Sequence, residues 1–441
     1  MSSDMIFSSD TIFALATGAG RAAIAVIRLS GPGVSGMLAA LAGLTPRPRF
    51  AHYVRFRDPR SGETLDHGLA LFFPAEQSPT GEDYAELQIH GGRAVIDAFL
   101  TISSHASGFR AAEPGEFARR SFANGKMDLS QVEGLADLID AETAFQRRQA
   151  LRALGGGLRR RVEEWRETII AASALVEAEL DFSDEGDVST PAESLAARLA
   201  SLAAEMEEQA RQAPAAERLR DGFLVLLLGP PNSGKSTLLN ALARREVAIV
   251  SAIPGTTRDM IEVHLDLGGL PVTLVDTAGL REAEDEIERL GVARTRARIE
   301  DADLLLWLSE GGETAPSAEI SAGSGDCIRV ATKADIRVSA QSDLAISART
   351  GLGIEGLIAE IRARAENRLG DGSTALLTRE RQRRMVLQAA AAIRAGLQPG
   401  KPLEIVAEDL RSAGRSLGRI IGVVDVEDVL DAIFGQFCIG K

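Results

Sequence analysis

The chain has 441 residues, 45% hydrophobic and 25% charged, enough for about three domains that each bury a core. Its formal net charge of -14 excludes a protein that grips nucleic acid over its whole surface, so any RNA contact is expected to be local. No apolar run is long enough to cross a bilayer, the N-terminus MSSDMIFSSD lacks the basic and apolar regions of a secretion signal, and Cys327 and Cys438 offer no disulfide framework; a cytoplasmic protein without a membrane partner is expected.

In chain order, 22–30 reads as a strand stopped by Gly31-Pro32-Gly33, with a helix from Val34 to Leu41. His67 to Phe73 and Ala85 to His90 are two further strands, and Ala94 to Leu100 is helical, which gives a small α/β domain. The intervening loop, Ser78 to Tyr84, is rich in turn formers and acids and on its residues alone reads as a solvated turn. Pro114 opens a helix that Asn124-Gly125 ends. From Met127 to about Glu179 the helical pattern is long and is interrupted by Gly155-Gly156-Gly157. Arg147, Arg148, Arg152, Arg159, Arg160 and Arg161 cluster about that interruption; they could hold phosphates, but they read first as a solvated face paired with Glu163 and Glu164. Another helical stretch runs from Pro191 to about Arg220.

The apolar run Phe223 to Leu228 leads into Gly229-Pro-Pro-Asn-Ser-Gly-Lys-Ser236, and a helix-forming segment follows. This is the strand, loop and helix setting of a phosphate-binding loop. Asn232, Ser233, Gly234, Lys235, Ser236 and Thr237 line it, with Lys235 reaching the outer phosphates and Ser236 on Mg²⁺. A first switch loop, Ser251-Ala252-Ile253-Pro254-Gly255-Thr256-Thr257, offers a second Mg²⁺ ligand among its threonines. A second, Asp276-Thr277-Ala278-Gly279, places a carboxylate near the metal and a backbone amide near the γ-phosphate. Between them, Ile261–Leu267 and Pro271–Val275 form a hairpin expected to add one antiparallel edge strand to an otherwise parallel sheet.

Base selection falls to Thr332-Lys333-Ala334-Asp335, with Asp335 reading guanine and Ser347-Ala348 behind it; GTP is favoured over ATP. Thr332 stands where GTPases usually have Asn, and Leu280 stands where many small GTPases have a water-orienting Gln. The acidic run after Leu280, read alone, is a solvated helix face. Helical stretches at 379–397 and 403–421 follow, so the GTPase domain is expected to be inserted in a helical one. The domains expected are an α/β N-terminal domain at 1–120, a first helical part at 121–220, a Ras-like GTPase domain with a mostly parallel sheet at 221–369, and a second helical part at 370–441. Cys438 near the end reads as an ordinary packed or exposed thiol.

Motifs from end to end give this chain a resemblance to the MnmE (TrmE) family of tRNA modification GTPases. They are Thr80-Gly-Glu-Asp83, Glu86-Leu-Gln-x-His90-Gly-Gly, Pro114-Gly-Glu-Phe117, Asn124-Gly-Lys126-x-Asp-Leu129, the phosphate loop, Gly255-Thr-Thr-Arg-Asp259, Asp276-Thr-Ala-Gly-Leu-Arg281 and Phe437-Cys-Ile-Gly-Lys441. The resemblance implies a homodimer formed by the N-terminal domain, which binds a tetrahydrofolate one-carbon donor at positions matching Arg28, Glu86, Lys126 and Lys441, so that the tail returns to that domain. It implies K⁺ bound at positions matching Asn232, Ser251, Ile253 and Thr256, Mg²⁺ at Ser236 and Thr257, and Glu288 as the acid that orients water. It also implies a partner, the FAD protein MnmG, with which the family adds an aminomethyl or carboxymethylaminomethyl group to carbon five of the wobble uridine of tRNA, and a functional role for Cys438. A GTPase switch in ribosome assembly, or a folate-binding scaffold, stands as the alternative.

Overall fold

In a computed structural model, the residues described are 10–18, 20–44, 46–181, 192–245, 247–249, 261–276, 299, 301–312, 326–337, 342–370, 375–424, 430, 433–435, 437 and 439–440. The chain divides into two compact units, 1–136 with 418–441 and 137–417. Residues 121–136 and the C-terminal tail thus group with the N-terminal sheet, where the sequence pattern had suggested boundaries at 120 and 370.

The first unit is built on six strands, β1 (Thr11–Leu15), β2 (Ile24–Ser30), β3 (His52–Arg57), β4 (Thr64–Phe73), β5 (Tyr84–His90) and β6 (Phe109–Ala111). Their order is β3-β4-β5-β2-β1-β6, antiparallel throughout except for the parallel pair β1 and β6. Alternation along the strands sends Ala25, Ile27, Leu29, Leu87 and Ile89 to one face, where they pack with Leu38 of α1 (Val34–Ala42) and Phe99 of α2 (Arg93–Ser104). The opposite face carries Arg28 and Glu86, which sit directly across from each other in the register.

Against this unit lie α3 (Glu116–Ala123) and the start of α4 (Leu129–Asp140). Ala118, Leu129 and Val132 form a small core with Leu430, Ile433, Phe434 and Phe437, and Pro114 bridges to Ile439. The described part of the tail does return to the N-terminal sheet, as the resemblance implied.

The Ser78–Tyr84 loop is not the solvated turn that its residue types suggest. Ser78 and Thr80 are buried, Thr80 shares a 2.7 Å hydrogen bond with Ser30, and Glu82 accepts from Ser30 Oγ at 2.7 Å and from Arg120 at 3.0 Å. Arg120, 2% exposed, also donates to Asp10 at 2.8 Å and to Glu116 at 3.0 Å, and Arg110 joins Asp10 and Glu116. Turn-forming residue types on their own point to solvent, but here their polar groups satisfy one another inside the protein.

The second unit holds a helical part and a nucleotide-binding part. The long helical pattern from 127 resolves into α4, α5 (Ala144–Leu154) and α6 (Gly157–Asp181). The break before α5 comes from a capping box, in which Gln146 N–H donates to Thr143 Oγ1 and Gln146 Oε1 accepts from Thr143 N–H at 3.1 Å. In α7 (Ala192–Asp221) Glu217 and Glu207 pair with Arg383 and Arg394 of α10 (Glu380–Gly396), and α11 (Leu403–Ile421) follows it.

The nucleotide-binding part has seven strands, β7 (Phe223–Leu228), β8 (Ala248–Ile249), β9 (Ile261–Asp266), β10 (Pro271–Asp276), β11 (Leu304–Glu310), β12 (Cys327–Thr332) and β13 (Leu344–Ala345). Their order is β13-β12-β11-β7-β10-β9-β8. The hairpin strand β9 is antiparallel to β10 as expected, but it is not the edge, because the two-residue β8 pairs antiparallel outside it. Helices α8 (Lys235–Ala243) and α9 (Ile354–Leu369) cover one face through Leu238, Leu242, Leu357 and Ile361.

Burial opposes ionisation of Glu116, but bonds from Arg110, the Glu113 N–H and Arg120 outweigh it and hold its carboxyl below the usual range. A carboxyl depressed in the folded state adds stability that is full above the unfolded value of 4.5 and is lost as pH falls through the lower folded value. Glu116→Gln should therefore destabilise the first unit by about 3 kcal/mol at neutral pH, with the gap closing in acid. Hydrogen exchange of the β1 and β6 amides across a pH series measures this, and equal protection in the two proteins at pH 7 would contradict it.

Candidate functional site

The phosphate loop starts where β7 ends. Gly229 has φ 141°, and a Cβ there would stand 2.0 Å from the Leu308 carbonyl of β11, so the chain can leave the sheet only as glycine. Asn232 and Gly234 also take positive φ, at 61° and 93°, which curls the loop around the N-terminus of α8. Lys235 is buried, and its ammonium donates to the loop's own carbonyls, Gly229 O at 3.0 Å and Pro230 O at 2.9 Å. The charge is thereby held inside the curl, beside the N-terminal amide groups of α8.

Ser236 Oγ donates to Asp276 Oδ2 at 2.6 Å. A hydroxyl from the start of α8 and a carboxylate from the end of β10 are the hard oxygen donors that suit Mg²⁺, a cation that keeps few protein ligands and takes the rest from phosphates and water. The donor chemistry therefore fits the metal expected there. Among the described residues no cluster of three or more His, Cys, Asp or Glu could hold an ion by itself.

The segment expected to read the base, Thr332 to Asp335, leaves β12 beside this loop. Thr332 Oγ1 is buried and donates to the Ser233 carbonyl at 2.7 Å, with Ser309 O at 3.2 Å. The threonine that replaces the usual Asn thus makes a bond to the phosphate loop, a role not anticipated from the sequence. Lys333, at φ 57°, pairs with Glu310 at 2.5 Å, and Asp335 is exposed. Ala334 N–H donates to Ile346 O at 3.0 Å, which brings Ser347 and Ala348 behind the reading segment.

The expected residues Ser251, Ala252, Ile253, Pro254, Gly255, Thr256, Thr257, Thr277, Ala278, Gly279, Glu288, Cys438 and Lys441 lie outside the described residues. For K⁺, Asn232 is the described member of the expected set.

In the first unit, Arg28 Nε donates to Glu86 Oε1 at 3.3 Å and Nη1 donates to the Gly440 carbonyl at 3.3 Å. Tyr84 donates its hydroxyl to the same Glu86 oxygen at 2.9 Å; burial pushes that phenol well above its usual range, so it stays a donor. Glu86 retains acceptor capacity for a further N–H, and Arg28 and Lys126 supply cations, which fits a pterin with an anionic tail. Lys126 is placed elsewhere along the loop, where it donates to Glu76 O at 2.7 Å. A cavity of about 800 Å³ beside β1, α2 and Ile439 is apolar and has none of Arg28, Glu86 or Lys126 in its wall, so it is not this site. Tyr84 escaped the sequence reading, though its place two residues before Glu86 on a strand puts both on one face.

A glycine-rich loop between β7 and α8, a hydroxyl and carboxylate pair whose chemistry suits Mg²⁺ and a Thr-Lys-x-Asp segment on one edge of a mostly parallel sheet are the arrangement of a GTPase domain, set within a larger chain. A family profile described as the MnmE helical domain matches residues 129–438, and one described as the GTP-binding protein TrmE N-terminus matches 11–126. The tRNA modification GTPase MnmE of Azorhizobium caulinodans is 52% identical over 441 residues, covering 99% of this chain and 100% of that protein. Its namesake from Methylobacterium sp. (strain 4-46) is 53% identical over 447 residues, covering 98% and 100%. The chain belongs to the MnmE family of tRNA modification GTPases.

Thr332→Val keeps the shape but leaves the Ser233 carbonyl without its donor, at a cost of about 1–3 kcal/mol. GDP affinity, titrated with a fluorescent nucleotide, should fall roughly tenfold in that variant and hold in Thr332→Ser. Unchanged affinity in Thr332→Val would remove this hydroxyl from the positioning of the loop.

Proposed function

We propose that this chain is a K⁺-stimulated GTP hydrolase that acts in modification of the wobble uridine of tRNA, using a tetrahydrofolate one-carbon unit and working as a homodimer with an MnmG-like FAD-dependent partner. The observation that carries the folate part is the joint at Arg28, where one guanidinium holds both Glu86 and the Gly440 carbonyl. It supports the reading because two of the positions expected to bind folate, Arg28 and Glu86, meet there with the described end of the tail.

In the GTPase domain, Lys235 and the amides at the start of α8 bind the phosphates, and Ser236, Asp276 and Thr257 orient the Mg²⁺ side. Asp335 accepts from the guanine edge, and Lys333, Ser347 and Ala348 frame the base. Bound Mg²⁺ and K⁺ supply positive charge to the phosphates where an arginine finger would otherwise act. Asn232, Ser251, Ile253 and Thr256 are the K⁺ positions. Leu280 cannot hydrogen-bond water, and the family resemblance gives that task to Glu288. In the first unit, Glu86 orients the pterin while Arg28, Lys126 and Lys441 hold the anionic end, and Cys438 serves the modification step.

A purified chain should bind a tetrahydrofolate at equilibrium, and Arg28→Ala should weaken that binding by roughly tenfold or more, since a charge-assisted bond is worth about 1.5–3 kcal/mol. No detectable binding to the unaltered chain would count against the folate chemistry and favour a plain GTPase switch. GTP turnover should be markedly faster in K⁺ than in Na⁺ buffer. Glu288→Ala should retain GTP binding while hydrolysis drops by on the order of 10²–10⁴-fold. Equal rates in the two salts would sink the ion assignment, and unchanged turnover in the variant would remove Glu288.

A further inference from the structure

We propose that the exposed face of α5 is a docking surface for the phosphate backbone of the tRNA substrate, an assignment that rests on the functional reading above. Three observations lead there. The sequence of α5, AFQRRQALRAL, holds three arginines and no carboxylate, in a chain whose net charge is -14. Phosphates are repelled by most of such a surface and would be drawn to the exception.

The arginines around the Gly155 to Gly157 break also divide into two groups. Arg159 bonds Glu163 at 2.8 Å, and Arg161 bonds Glu164 at 2.6 Å and Glu205 at 2.5 Å, so these two are the solvated pairs that the sequence suggested. Arg147, Arg148 and Arg160 are exposed and have no ion-pair partner among the described residues. Arg160 donates to the Gly155 carbonyl at 3.0 Å, which sets its guanidinium just past the end of α5, and Arg148 lies over the Phe145 ring at 4.4 Å from the centroid.

The strip is also held rigidly. On the other side of α5, Gln149 donates to the Ala216 carbonyl at 3.0 Å and Gln146 to the Arg220 carbonyl at 3.0 Å, both on α7. The capping box fixes its start. An eleven-residue helix is about 16 Å long, enough to face several successive phosphates. The planar fork of arginine suits phosphate oxygens better than the point charge of lysine does.

The test is equilibrium binding of a labelled, unmodified tRNA transcript to the full-length chain, by fluorescence anisotropy over a range of salt concentrations. The triple variant R147Q/R148Q/R160Q should bind at least tenfold more weakly at low salt, with a log–log salt slope shallower by about 2. GTP turnover and hydrogen exchange of α5 should not change, which separates loss of contact from loss of fold. The lysine version, R147K/R148K/R160K, should recover most of the salt slope, and if the glutamine variant proves unstable the single variants R147Q and R160Q should each show a slope shallower by about 1. Wild-type affinity and slope in the glutamine variant would overturn the proposal and leave this face to an acidic protein partner. A wild-type chain that binds no tRNA even at low salt would fail the functional reading itself, a different outcome from unaltered binding in the variant.

Discussion

The site depends above all on how β7 is flanked. It pairs in parallel with β10 on one side and β11 on the other, and β12 follows in parallel beyond β11. Parallel pairing puts the carboxyl ends of all four strands on one edge. The connections after β7, β10 and β12 therefore start from neighbouring points, and Gly229, Asp276 and Thr332 need little more than one side-chain length to meet. The bonds from Ser236 to Asp276 and from Thr332 to Ser233 follow from that placement. In open sheets of this kind ligands bind outside the carboxyl ends of the strands, where connections diverge to either side.

The first unit solves a different problem. On the sheet face that carries Arg28 and Glu86, the loop from Ser78 to Tyr84 and the helix α3 must also be fixed in place. Arg120 and Arg110 provide this by sharing three carboxylates from distant parts of the chain, Asp10, Glu82 and Glu116. Buried ions of this sort contribute little net stability but strongly penalise any arrangement that breaks one pair. The loop is thus specified by what it would cost to misplace it. Arg28 plays the matching part for the tail, since a single planar group reaches the sheet and the last described turn of the chain.

Sequence alone exposed the elements whose signal is local. The run Phe223 to Leu228, the glycines of the phosphate loop and the hairpin at Gly268-Gly269 each announce their structure within a few residues. The three-residue β6, the two-residue β8 and the first strand at Thr11 do not, because their pairing partners lie far away in the chain and supply most of the reason to be strands. The break before α5 was legible in the Thr143 to Gln146 capping pattern, but the strong apolar periodicity on either side masked it. Arg28, Glu86 and Lys126 could be singled out only through the family motifs, since one arginine and one glutamate on a strand look like any exposed pair until the register places them opposite each other. No local pattern distinguishes Arg159 from Arg160 either; only the positions of Glu163 and the Gly155 carbonyl separate a satisfied charge from an available one.

The tip of the hairpin between β9 and β10 meets the helical part at one ring. Phe145 of α5 packs against the core of the nucleotide-binding part, and a Cβ at Gly269 would stand 2.9 Å from it. Gly269 also has φ 98°, so it is barred from carrying a side chain twice over, once by its backbone and once by its neighbour. The joint is therefore asymmetric under mutation. Drift can alter the ring, and a smaller residue at 145 leaves a gap that nearby side chains can fill, but the hairpin tip has no route of its own. Over evolutionary time, the fit between these two parts should be adjusted from α5, with the glycine as the fixed reference.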